Sequence, residues 1–218
     1  MQELPALDIT AHVNALAERV HALRPAHRRI LVAIAGAPAS GKSTLAAELC
    51  RRMRDQKISA EVVPMDGFHL DNAILDARGL RAKKGSPDTF DAAGFVHLIR
   101  RLAEPAEVVV PLFDRTRDLA IAGATVVPAD CEVVIVEGNY LLFNQSPWDQ
   151  LAPLWTLSAR LNVPMSDLRA RLIQRWLSLG LSRAAATRRA EGNDIPNAAK
   201  VIDFALPADL VLQIHPSG

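Results

Sequence analysis

Gly36-Ala37-Pro38-Ala39-Ser40-Gly41-Lys42-Ser43, followed by Thr44, fits the pattern G-x-x-x-x-G-K-[ST]. In such a loop successive main-chain N–H groups and the positive end of a following helix form a cradle for phosphate oxygens, and glycine lets the backbone come close to them. Lys42 would bring its ammonium to the β- and γ-phosphates, and the Ser43 hydroxyl would complete the coordination of Mg²⁺. The alternative is an accidental turn. By composition alone the four fixed positions coincide in roughly 1% of chains this long, and the demand for a strand before and a helix after lowers that further.

Two acids are aimed at the same place. "EVVPMDGFH" puts Asp66 just beyond one apolar run, and "EVVIVEGNYLLF" puts Glu137 at the end of another. Residues past the carboxyl ends of parallel strands face the ligand crevice. Transfer of a phosphoryl group to an alcohol needs a metal to offset charge and a carboxylate to orient the acceptor hydroxyl and take its proton. Asp66 is assigned as that base and Glu137 to the magnesium shell, directly or through water; the reverse assignment stays open. Either acid also fits a plain cap on the turn that follows it.

These residues need a scaffold. Short branched apolar runs at 30–35, 60–63, 107–110, 132–136, 157–163 and 209–214 read as strands buried on both faces. Helical patterns lie between them at 42–54, at 92–102 after an Asp91 cap, and at 165–177 after Pro164. Ile9, Val13, Leu16, Val20 and Leu23 form one face of an opening helix, which "RPAHRR" ends. The segments 71–88 and 112–130 show no clear period and read as loops. Alternating strands and helices predict an α/β fold with a doubly wound parallel sheet, and 218 residues without a convincing linker predict one domain.

Lysine plus arginine number 25 against 24 for aspartate plus glutamate, so no overall field recruits nucleic acid or an acidic membrane surface. Two cysteines without metal-ligand spacing, an opening segment unlike a secretory signal and no long apolar run together predict a cytoplasmic protein whose partner is a small molecule. A homodimer stays open.

The ordered blocks "GAPASGKST", "MDGFHLDN", "RAKKGSPDTFD", "VPLFDRTRD", "VVIVEGNYLL" and "RARLIQRWLSLGLS" with "AEGNDIPNAAKV" resemble the P-loop kinases of the phosphoribulokinase, uridine kinase and pantothenate kinase superfamily. The likeness is greatest to the short pantothenate-kinase-like branch labelled fructose transport system kinases. It implies the P-loop nucleoside triphosphate hydrolase fold with a helical lid at about residues 169–192, and ATP with Mg²⁺. It also implies a role for the "DGFH" acid on the acceptor hydroxyl and for the "EGNY" acid near magnesium, matching Asp66 and Glu137.

Arg171 and Arg175 lie four apart and share a helix face, from which lid arginines would stabilise the transferring group. Asn197 falls where relatives bring the chain near the adenine. For the acceptor pocket, His69, Arg115 and Lys84 supply donors and acceptors for hydroxyl groups, and Tyr140 of the "EGNY" block is grouped with them. His69 also fits a structural histidine bonded to a carbonyl, and Lys84 an exposed loop amine. The chain is much shorter than full pantothenate kinases, and Gly67, Phe68 and His69 depart from the nucleoside kinase pattern. A sugar or similar polyol is therefore the favoured acceptor, with uridine or pantothenate as alternatives and a regulator without phosphotransfer as a rival of another class. No N-K-x-D segment or L-S-G-G-Q signature points to a switch GTPase or a transport ATPase.

Overall fold

The computed structural model describes residues 9–24 and 29–214. The opening residues 1–8 and most of the expected "RPAHRR" break lie outside the described residues.

Five strands form a parallel sheet: β1 (Ile30–Gly36), β2 (Ala60–Pro64), β5 (Val133–Gly138), β6 (Leu157–Asn162) and β7 (Leu210–Gln213), in the spatial order β2-β5-β1-β6-β7. β1 and β5 are buried at every residue, which accounts for their unbroken apolar sequences. The helices that cross between strands flank this sheet. They are α1 (Thr10–Leu23), α2 (Lys42–Asp55), α3 (Asn72–Ala77), α4 (Ala92–Leu102), α5 (Met165–Ser178), α6 (Arg183–Arg189) and α7 (Ile195–Asp203). α1 packs on α2 and α5 on α7. Among the described residues no helix is long and apolar enough to cross a membrane.

The doubly wound expectation holds, with four corrections. The run at 107–110 is a strand, β3 (Val108–Asp114), but it lies outside the main sheet and pairs antiparallel with β4 (Leu119–Val127). β4 falls inside the expected loop 112–130; most of its residues are half-buried or exposed and Gly123 interrupts it, so it carries no clean alternation. The expected loop 71–88 contains α3, capped by the Asp71 carboxylate accepting from Ala73 N–H at 2.8 Å. Burial on both faces fails for the edge strands β2 and β7, each of which has a neighbour on one side alone.

The largest buried side chains include Trp148, Tyr140, Phe95 and Phe143, and Cys50 is a buried core residue. Arg29 is 5% exposed and is held wholly by main-chain carbonyls: Nε donates to Cys131 O, Nη1 to Glu104 O and Ala106 O, and Nη2 to Pro128 O and Ala129 O, at 2.7–3.1 Å. It ties the segments flanking the β3–β4 hairpin to the foot of β1. Arg29→Met is expected to leave these acceptors unpaired and to lower unfolding free energy by about 2–4 kcal/mol, measured by urea titration. A loss below about 0.5 kcal/mol would mean that water replaces the guanidinium without cost.

Candidate active site

α2 starts at Lys42, and its N-cap is Gly41 in the left-handed region with φ 100° and no capping side chain. The first N–H groups of the helix are therefore left without a side-chain partner, which suits an anion. Ala39 is also left-handed with φ 63°, and the Ser40 hydroxyl is buried without a hydrogen-bond partner. An orphaned hydroxyl inside a backbone cradle fits a phosphate oxygen as its missing partner. Lys42 Nζ donates to Ala37 O across the loop at 2.9 Å, and Arg171 Nη1 approaches Ala39 O at 3.5 Å.

Parallel pairing brings the acids in. Glu137, the penultimate residue of β5, stands in register with Ile34 of β1 and Pro64 of β2. Its Oε1 accepts from the Ser43 hydroxyl at 3.1 Å. Asp66 lies two residues beyond Pro64, in a single 3₁₀ turn, Met65–Phe68. Gly138 lets that turn sit against β5: a Cβ there would stand 2.6 Å from Met65 Cβ and 2.9 Å from Met65 Sδ. Gly138→Ala is expected to push Asp66 out of line with Glu137, lowering turnover by about tenfold or more and stability by about 1–3 kcal/mol. Parent-like kinetics and melting for this variant would show that Met65 moves aside freely.

Charge converges on Lys42. Burial lowers its pKa, and Glu137 and then Asp66 oppose that shift, with Arg115 and Arg175 acting in the other direction. Burial raises the Glu137 pKa against the pull of Lys42, and Asp66 raises it further. Such a carboxylate is short of positive charge, and a divalent cation would supply it. Among the described residues no group of three or more His, Cys, Asp or Glu gathers to hold a metal. Ser43 with Glu137 is instead the sparse kind of set that suits Mg²⁺, which keeps several waters and takes substrate phosphates as further ligands. These residues fit the nucleotide and the ion.

On the acceptor side Arg115 Nη2 donates to Asp66 Oδ2 at 2.7 Å. His69 Nδ1 donates to Asp66 O at 2.8 Å, and its ring lies between Phe90 and Phe113 with centroids 4.1 and 4.5 Å away. Burial lowers its pKa, which favours the neutral ring. Lys84 is not an exposed loop amine: its Nζ donates to Asn72 Oδ1, Asp118 O and Asp118 Oδ1 at 2.7–3.0 Å and lies 5.0 Å from the centre of the Phe113 ring. Tyr140 is fully buried, donating to Gly85 O at 2.6 Å. The structure thus brings Asp66, Arg115 and His69 together, whereas Lys84 and Tyr140 brace the loop beside them.

Arg175 is on the exposed side of α5, against Trp176. Asn197 is buried on α7 and donates to Asn193 Oδ1 at 3.2 Å; Asn193 donates to Lys84 O at 2.9 Å. Asn193 sits in a π-helical turn, Ala190–Asp194, between α6 and α7. Arg189 Nη1 donates to Ala82 O at 3.0 Å and Trp176 Nε1 to Asp194 Oδ2 at 2.6 Å, so this turn links α5 to the loop that holds Lys84. Asn72, Asp118 and Asn193 were not among the residues singled out from sequence. Their bonds to Lys84 span 12 to 109 positions, and no local pattern marks them.

A phosphate cradle on β1, with acids from β2 and β5 attending it, defines a P-loop α/β kinase site. The chain belongs to the phosphoribulokinase/uridine kinase family, whose model matches residues 31–213. A solved structure from Silicibacter sp. TM1040, provisionally named a fructose transport system kinase, superposes with a TM-score of 0.87 at 51% identity, covering 91% of this chain and 98% of that one. A protein of Schizosaccharomyces pombe provisionally named a uridine kinase is 34% identical over 97% of this chain and 94% of its own length. The pantothenate kinase of Leifsonia xyli is 32% identical over 68% of this chain, which spans 48% of that enzyme. The family is one of kinases, and it implies ATP with Mg²⁺.

Proposed function

We propose that this kinase transfers the γ-phosphoryl group of ATP to a hydroxyl of a small metabolite, a sugar or similar polyol. The observation that carries the reading is the Ser43–Glu137 hydrogen bond beside Asp66, at the mouth of the backbone cradle. The cradle and Lys42 hold the polyphosphate. Ser43 and Glu137 would hold Mg²⁺, which when bound offsets charge on the phosphate oxygens.

Asp66 accepts the proton of the acceptor hydroxyl as its oxygen attacks the γ-phosphorus. The bond from that phosphorus to the bridging oxygen breaks, and the electron pair leaves on ADP. Arg171, already beside Ala39 O, and Arg175 stabilise the equatorial oxygens when the segment 169–192 closes as a lid.

The test is acceptor-dependent ADP release from Mg-ATP across sugars, polyols, nucleosides and pantothenate. A sugar or polyol giving the highest kcat/KM supports the reading. A nucleoside or pantothenate in that position replaces the acceptor class, and ATP binding without release for any acceptor favours a regulator.

A further inference from the structure

Arg115 is the cation bonded to the base, and among the described residues no other acid pairs with it. Its β3 neighbour Asp114 is committed elsewhere: its carboxylate accepts from Thr116 N, Arg117 N and Arg117 Nε at 2.7–2.9 Å. Asp118 is committed to Lys84 and Asn72. Asp114 thereby shapes a turn that carries Arg115 out from the strand end over Asp66.

The Arg115–Asp66 contact uses one terminal nitrogen; among the described residues Nε and Nη1 have no hydrogen-bond partner. The arginine side chain is 60% exposed and that of Asp66 25%. An ion pair this open contributes little to stability, so folding does not account for the guanidinium. Transfer demands that Asp66 turn an oxygen to a hydroxyl. A guanidinium that gives up this oxygen needs another anion, and its planar fork matches a carboxylate or phosphate group with two parallel bonds.

We infer that the acceptor carries an anionic group, a carboxylate or a phosphate ester, a few bonds from the hydroxyl that is phosphorylated, and that Arg115 binds it. This rests on Asp66 as the base and narrows the acceptor from polyols in general to acidic ones. His69, bonded to Asp66 O through Nδ1, leaves Nε2 as an acceptor for a further hydroxyl of the same molecule.

Matched compounds test it: ribose with ribose 5-phosphate, and glucose with gluconate and glucose 6-phosphate. Each is titrated calorimetrically into protein loaded with Mg²⁺ and a non-hydrolysable ATP analogue, and each is assayed for ADP release. Anionic members are expected to bind at least about tenfold more tightly than their neutral counterparts, and the carboxylate and phosphate arms identify which anion fits. Arg115→Gln is expected to weaken that binding and raise KM by about 10- to 100-fold with little change in kcat. Arg115→Lys, which keeps charge but not the fork, recovers part of the loss.

Equal binding of neutral and anionic members, no binding of any anionic member, or Arg115→Gln lowering kcat at unchanged KM would each overturn the inference. Arg115-dependent binding of the anions without ADP release would leave it standing and remove the phosphotransfer reading instead.

Discussion

Asp66→Asn is expected to lower kcat by about 10²- to 10⁴-fold while the affinity for Mg-ATP stays within about twofold of the parent. Asparagine keeps the shape of the side chain and can still accept from Arg115, but it cannot take a proton from an attacking hydroxyl. The ion pair it disrupts is open to solvent, so the variant folds and any loss belongs to the chemistry. Nucleotide titration and single-turnover phosphoryl transfer separate the two effects. Full turnover in Asp66→Asn would shift the base to Glu137, the reverse assignment that the sequence leaves open.

Lys42→Ala is expected to damage both steps, with kcat/KM down by about 10³-fold or more and Mg-ATP binding weakened by about tenfold or more. Lys42 is the buried cation closest in influence to Glu137, and it bridges the cradle through Ala37 O. Without it the carboxylates lose a counter-charge and the loop loses a strut, whether or not an acceptor is present. The contrast is diagnostic: one variant loses transfer with ATP still held, the other loses both. An unchanged Mg-ATP affinity in Lys42→Ala would mean that the backbone cradle alone holds the polyphosphate.

The parts of the site read most directly from sequence are those built on the buried parallel strands. β1, the loop and α2 share a boundary within a residue of expectation because a wholly apolar run, a glycine-bearing break and a helix start are each local signals. Glu137 and Asp66 follow from one rule, that residues past parallel strand ends face a common crevice. β4 was opaque because an exposed strand with a central glycine lacks period-two patterning, and only its pairing with β3 makes it a strand. The commitment of Lys84 to Asp118 was opaque for the same reason, since the hairpin turn must form before the two residues meet. Tyr140 looked like a ligand group because it stands three positions after Glu137; a buried ring that needs a carbonyl for its hydroxyl obeys packing instead.

The wide turn at Ala190–Asp194 closes its hydrogen bonds over one residue more than the α-helices on either side. Such a turn takes up its extra residue locally, so excising a single amino acid there would return the backbone to regular winding with α7 still roughly in phase with α6. Arg189 and Asn193, four positions apart and close to one face of the winding, donate to Ala82 O and Lys84 O. One continuous rod thus fastens the same loop at two points on one side, with the surplus residue seated between the two fastenings.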